Sequence, residues 1–344
     1  MEIFIIIKIL LLTTLATIIA IAWAPLLTHF LYKYKLGKSI RDTGKTPIFS
    51  KMHKDKAGTP TMGGLMIWVT VLILSLFFFY INKFVDIDFF RQMNFLTRSQ
   101  TLLPLGALVA AALVGLFDDF LDVRSNGKGG LTVKRRLLIY TLIAIVGALW
   151  FYFKLDWDLL HIPFLGNFQI GLWYIPIFIF VIVATAFSVN EIDGLDGLAG
   201  GTLLTAFGAY GTIAFMQGKY DLAAFCGVII GALVAFLWFN IKPARFYMGD
   251  TGAMSLGVTL GIIAMLTNQA LLLPIIGLLF VIEALSFLIQ ITSKKLRGKK
   301  VFLSAPIHHH LEAIGWPEYK IVMRFWLISG ITAVVGIIIF LLDR

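Results

Sequence analysis

Phe187-Ser188-Val189-Asn190-Glu191-Ile192-Asp193-Gly194-Leu195-Asp196-Gly197 sets three carboxylates and an asparagine between two apolar runs, 173–189 and 198–216. Each run has about the length that crosses a hydrocarbon core. Carboxylates this close to hydrocarbon cost roughly 2.5–3.5 kcal/mol each on insertion scales, so they are read first as functional. Gly194 and Gly197 give the turn freedom and close backbone approach. No Lys or Arg lies in the stretch to balance the charge. A cation from solution could balance it.

Outward from this loop, the chain alternates between apolar runs and polar loops. Of 344 residues, 59% are hydrophobic and 14% charged, and the mean hydropathy is +0.90. That excludes a soluble domain and reads as an all-α polytopic membrane protein. Ten candidate transmembrane helices fall at 3–32, 61–81, 101–117, 137–153, 173–189, 198–216, 221–239, 252–267, 270–292 and 324–342. They form a single integral membrane domain over residues 1–344. The first run is too long for a cleavable leader, and its basic flank follows the apolar run instead of preceding it. Cys226 is the only cysteine and lies in an apolar run, which excludes a disulfide framework and a thiolate metal site.

The net charge of +10 is explained by topology and calls for no nucleic acid. The odd-numbered loops carry 21 Lys and Arg residues and the even-numbered loops 5. The positive-inside rule then puts the odd loops in the cytoplasm and both termini outside. The longest external loop whose apolar and polar residues alternate, 154–172, is expected to form a small β-hairpin around Gly166-Asn167.

Five polar motifs all fall in odd loops, so all face one side. Lys56-Ala-Gly-Thr-Pro-Thr-Met-Gly-Gly64 could merely start a helix, with Thr59 as cap and Pro60 in the first turn. Its glycines and Lys56 also suit an anion at a helix N-terminus. Phe117-Asp118-Asp119-Phe120 ends the third run, where the helix dipole disfavours carboxylates and a compensating cation is needed. In the opening loop, capping would account for one Asp, not for Glu191, Asp193 and Asp196 with Asn190. In Asn240 to Gly252, Asp250 either caps the eighth helix or meets a ligand beside Gly249, and Tyr247 could stack on a base. His308-His309-His310 cannot all reach one metal from a helix, because neighbours diverge by roughly 100°. They fit better as hydrogen-bond or acid–base groups near a phosphate. Five Asp without Cys favour a hard cation, hence Mg2+, and Mg2+ beside Lys and Gly-rich turns points to phosphate-ester chemistry.

At these motifs the chain resembles the MraY family, the phospho-N-acetylmuramoyl-pentapeptide transferases of the polyprenyl-phosphate N-acetylhexosamine-1-phosphate transferase superfamily. The likeness runs from about Gly37 to Phe340, with the motifs in the family's order. It implies ten spans, external termini, and a cytoplasmic Mg2+ site at a bacterial plasma membrane. It implies transfer of phospho-MurNAc-pentapeptide from UDP-MurNAc-pentapeptide to undecaprenyl phosphate, giving lipid I and UMP. By the same resemblance Asp250 is the Mg2+ ligand, and Asp118, Asp119, Asp193 and His308 are catalytic. Lys56, Thr61, Asn190, His309 and His310 would hold the diphosphate and sugar, and Asp196, Asn240 and Tyr247 the uridine. A homodimer is compatible with it. Glu191-Ile192 stand where the family has Leu-Thr, Asp122 where a Lys often follows the Asp pair, and Tyr247 where Phe is frequent. The rival readings are a sibling UDP-GlcNAc transferase and a cation-coupled transporter or flippase. A transporter places charge mid-span. Here Glu283 is the one carboxylate deep inside a span, facing a groove or a partner.

Overall fold

The computed structural model describes residues 2–37, 58–85, 87–98, 100–125 and 130–343. Lys56 lies outside the described residues. Helices dominate because a backbone in lipid must satisfy its own hydrogen bonds. In chain order they are α1 (Glu2–Lys33), α2 (Leu65–Phe84), the short α3 (Asp88–Met93), α4 (Leu102–Arg124), α5 (Val133–Lys154), α6 (Tyr174–Ile192), α7 (Leu198–Met216), α8 (Tyr220–Asn240), α9 (Gly249–Leu266), α10 (Leu273–Ile276), α11 (Leu278–Arg297), α12 (Ile307–Ala313) and α13 (Glu318–Leu342). Among the described residues, nine helices are long and apolar enough to span a membrane, and the bent pair of 270–276 and 278–297 makes a tenth.

That tenth span departs from the straight run expected over 270–292. It bends by 81° at Gly277, which leaves helical geometry at φ −102°, ψ 37°. Below the bend α11 has its polarity reversed. Glu283, Ser286, Gln290 and Ser293 are buried, while Leu285, Leu288, Ile289 and Ile291 face outward. The 3-4-3 spacing puts the four polar residues on one helical stripe.

The core is built around α9, which is buried along nearly its whole length. It packs on α4 and α6. Small residues allow this closeness, as they do where helices associate without help from water. Gly115 on α4 lies against the Asp250 backbone, so close that a methyl there would overlap it. A Cβ on Gly257 would lie 2.8 Å from the Ala186 Cα of α6. Trp68 Nε1 of α2 donates to Thr251 Oγ1 at 3.1 Å, and that hydroxyl donates to the Ala112 carbonyl of α4 at 2.9 Å. The first turn of α9 is thereby pinned to two neighbouring helices.

The predicted hairpin is present. β1 (Leu159–Ile162) and β2 (Gly166–Gln169) pair antiparallel, with Leu159 opposite Gln169 and Ile162 opposite Gly166. The turn lies at 163–165, just before Gly166 rather than around it.

Candidate active site

The polar loops meet at one end of the bundle. Arg136, in the first turn of α5, is the centre of the cluster. Its Nε donates to Asp118 Oδ2 at 2.9 Å, Nη1 to Asn190 Oδ1 at 2.7 Å and Nη2 to Asp250 Oδ2 at 2.6 Å. Asn190 Nδ2 closes the ring by donating to Asp250 Oδ1 at 2.6 Å. Four segments distant in sequence are thus joined through one guanidinium. Asp118 is fully buried and also accepts from the Leu131 N–H. Asp119 turns the other way, accepting from Thr61 Oγ1 at 3.2 Å and from the Thr251 N–H at 3.0 Å.

Several expectations are corrected here. The Asp pair does not end its helix, since α4 continues to Arg124. The dipole argument therefore weakens, and Arg136 supplies a counter-charge to Asp118. Asp250 is not a cap. It lies in the first turn of α9, behind Met248, and its carboxylate is spent on Arg136 and Asn190. Thr59 and Pro60 do not start α2, which begins at Leu65. Instead residues 60–64 run alongside 247–248. Tyr247 N–H donates to Pro60 O at 2.8 Å, Gly63 N–H to Tyr247 O at 2.7 Å and Gly64 N–H to Met248 O at 2.8 Å. The Gly63 and Gly64 N–H groups are therefore used within the protein. The glycines serve approach: a side chain at Gly63 would strike Phe246, and one at Gly64 would strike Gly252.

Gly249 carries a positive φ of 72°, and a Cβ there would lie 2.5 Å from both Asp119 Oδ2 and Thr61 Oγ1. Any side chain at this position would push into the carboxylate cluster.

A second group adjoins the first through the 190–197 loop. His308 and Glu283 are both fully buried, and His308 Nδ1 lies 2.9 Å from Glu283 Oε2. His308 Nε2 has no hydrogen-bond partner and is aimed at Gly194 of the opening loop. The His309 ring lies 4.0 Å from the His308 ring, and its Nδ1 pairs with Glu312 at 2.7 Å. His310 is directed elsewhere, accepting from the Leu303 N–H and packing on Phe302. The three rings diverge as helical geometry requires. Glu191 sits between the groups, within electrostatic reach of Arg136 and of His308.

The remaining predicted residues form the wall behind this loop. Asp193 is half-buried where α6 ends. Asp196 is buried; its N–H donates to Glu318 Oε1 at 2.9 Å and its Oδ2 accepts from the Ala244 N–H at 3.2 Å. Asn240 is buried and spans two loops, accepting from the Gly197 N–H and donating to Phe246 O, both at 2.9 Å. Tyr247 is half-buried beside the 60–64 segment.

Two central residues were absent from the sequence-based candidates. Arg136 counted there only toward loop charge. The signal available was a basic residue opening a span just after an Asp pair. Glu283 was noticed without a role, and its signal was the buried polar stripe it shares with Ser286 and Gln290.

The oxygens that converge on Arg136 suit a hard divalent cation. Asp118, Asp250 and the Asn190 amide oxygen all lie within 2.9 Å of one guanidinium. Among the described residues no group of three or more His, Cys, Asp or Glu could hold a metal ion alone. Two carboxylates completed by substrate oxygens and water is the habit of Mg2+ in particular.

Comparison with known proteins now decides the family. Residues 101–268 match the model described as glycosyl transferase family 4. Residues 56–67 match phospho-N-acetylmuramoyl-pentapeptide-transferase signature 1. A relative of that name from Chloroflexus aggregans is 42% identical over 324 residues, covering 90% of this chain and 83% of its own length. Relatives of the same name from a Geobacillus strain and from Bacillus anthracis are each 40% identical, covering 94% of this chain and 95% of their own. The chain belongs to the phospho-N-acetylmuramoyl-pentapeptide-transferase family. The family signature spans the 60–64 segment that carries Thr61 to Asp119. The wider family model covers Asp118, Asp119, Arg136, the whole 187–197 stretch and Asp250. The chemistry-bearing cluster therefore lies inside the regions that define the family.

Proposed function

We propose that this multi-pass membrane protein transfers phospho-MurNAc-pentapeptide from UDP-MurNAc-pentapeptide to undecaprenyl phosphate, yielding lipid I and UMP. The observation that carries the reading is the ring of Asp118, Asn190 and Asp250 around Arg136, in a chain matching the named relatives over 90–94% of its length. In this reaction a lipid phosphate oxygen forms a bond to the sugar-linked phosphorus. The bond from that phosphorus to the bridging oxygen breaks, and the electron pair leaves with UMP. Little covalent work is asked of the protein, so the task is positioning and charge compensation.

Arg136 would supply a guanidinium to the diphosphate, having five donors against the three oxygens it now serves. Asp118 and Asp250, with the Asn190 oxygen, would hold Mg2+, which neutralises phosphate charge when bound. Asp119, fixed by Thr61 and Thr251, keeps the 60–64 segment against the cluster. His308 directs Nε2 at the Gly194 turn, where the sugar phosphate would pass. The site faces the cytoplasm in this reading, on the basic side of the membrane.

One experiment tests activity and orientation together. UMP release should follow addition of UDP-MurNAc-pentapeptide and Mg2+ to inside-out vesicles, and should be near zero with right-side-out vesicles. UDP-GlcNAc as the better donor would assign the sibling reaction. Release from right-side-out vesicles would reverse the topology.

Glu283 has a positioning role in this scheme. Its carboxylate fixes which nitrogen of His308 faces the loop, since the bond made by one ring nitrogen sets the state of the other. Glu283→Gln should lower the turnover number roughly 10- to 100-fold, as loss of an imidazole's outer partner does at metal sites. The KM for the nucleotide and the melting temperature should stay near wild type. A variant that loses melting temperature and turnover together would make Glu283 a structural residue only.

A further inference from the structure

A cavity of about 380 Å3 opens at the opposite end of the bundle, lined by His161, Gln217, Lys219, Gln269, Phe340 and Asp343. The 18 residues of α9 separate it from the carboxylate cluster, about 27 Å at 1.5 Å per residue. It is therefore no part of the proposed transferase site.

Its polar groups are incompletely satisfied in a definite pattern. Gln217 Nε2 donates to Thr267 O at 2.8 Å, but its Oε1 is buried without a partner. Gln269 is buried, and its Oε1 also lacks one. A buried acceptor left unmade costs about 1–3 kcal/mol. Lys219 Nζ donates to Leu266 O at 2.6 Å and lies 5.4 Å from the Trp157 ring centre. Among the described residues no carboxylate pairs with it. Burial pulls its ammonium down to about 8 from the usual 10.5. The one acid in the cavity, Asp343, is engaged by His161 and by the Phe164 N–H.

The cavity thus presents two acceptors that need donors and one cation that needs an anion. Water could serve the acceptors, but it brings no charge to Lys219. A molecule with an ammonium at one end and an anion at the other supplies both. Leu341 and Leu342 beside the cavity are exposed, an apolar surface of the kind that faces lipid. We propose that this cavity binds a small zwitterion, its ammonium donating to the Gln217 and Gln269 amide oxygens and its phosphate or carboxylate paired with Lys219. Two sources carry that chemistry: the phosphoethanolamine headgroup of a membrane lipid, and a free amino acid.

Lys219 is itself the reporter. An amine near pH 8 is partly uncharged and acylates readily, whereas pairing with an anion restores the charged form and blocks it. The full-length protein in phosphatidylglycerol nanodiscs would be acylated at pH 8, and the Lys219 peptide quantified by mass spectrometry. Phosphoethanolamine should reduce labelling roughly fivefold or more, because an amine about half uncharged at pH 8 is only about one-tenth uncharged once its pKa rises by one. Protection by discs containing phosphatidylethanolamine, but not by glycine, assigns the lipid. Protection by glycine alone assigns the free amino acid. Equal protection by inorganic phosphate overturns the proposal, because an anion would then suffice. No protection by any probe overturns it as well. Gln217→Leu with Gln269→Leu should label as wild type without probe and lose the zwitterion's protection. Gln269→Leu alone serves if the double variant labels differently before any probe is added. Protection that survives loss of the acceptor oxygens also overturns the proposal.

Discussion

Asp250→Asn should reduce UMP release by about a thousandfold, the scale seen when a group acting on developing charge is removed. The exchange keeps the shape of the side chain. The amide oxygen can still accept from Arg136 or Asn190, whose donors now lie 2.6 Å from the two carboxylate oxygens. What is lost is the charge and one acceptor. The protein should therefore remain folded in detergent, losing about 1–3 kcal/mol at most for the donor left unmade. The Mg2+ concentration for half-maximal activity should rise steeply in whatever turnover remains. A variant with near-normal rate at low Mg2+ would remove Asp250 from the metal and leave it as a tie between α6, α5 and α9.

Arg136→Met should produce the largest change in stability, and its dependence on metal is the informative part. Without the guanidinium, Asp118 is a fully buried carboxylate facing Asp250 with no counter-charge. Breaking a buried pair by removing one partner costs about 3–5 kcal/mol. Arg136 is itself partly exposed, so the lower end applies. Metal-free protein should melt clearly lower than wild type. Millimolar Mg2+ should restore much of that loss in the variant and add little to wild type, where Arg136 already balances the carboxylates. Turnover should stay low even with Mg2+, because the diphosphate has lost its guanidinium. A variant whose melting temperature ignores Mg2+ would show that the oxygens around Arg136 form no cation site.

The spans were readable because lipid leaves the backbone little choice, and α7 in particular has the expected bounds, 198–216. Motif location was readable for the same reason: loops at one end of a bundle must meet. Function of individual residues was less so. Gly63 and Gly64 looked like an anion cradle, yet their N–H groups bond the carbonyls of Tyr247 and Met248, over 180 residues away in the chain. Such pairing leaves no local pattern. Asp118-Asp119 looked like a helix end because the apolar run stops there, although Phe120, Leu121 and Val123 carry the helix on to Arg124. Arg136 was hidden by its abundance class, one Lys or Arg among 29. Only the fold reveals that it enters the carboxylate ring.

The reversed polarity of α11 bears on how the chain enters the membrane. Glu283 must cross or approach the hydrocarbon before its partner exists, since His308 is translated 25 residues later. A lone carboxylate there carries an insertion cost of roughly 2.5–3.5 kcal/mol. Ser286 and Gln290 on the same stripe add to it. The segment therefore cannot be released into lipid as an independent helix with its polar stripe bare. It has to be held against α6, already in place, until α12 and α13 emerge and seal it. Assembly of this half of the bundle is accordingly a concerted late event in biogenesis, and substitutions at Glu283 or His308 should alter the yield of inserted protein as well as its catalysis.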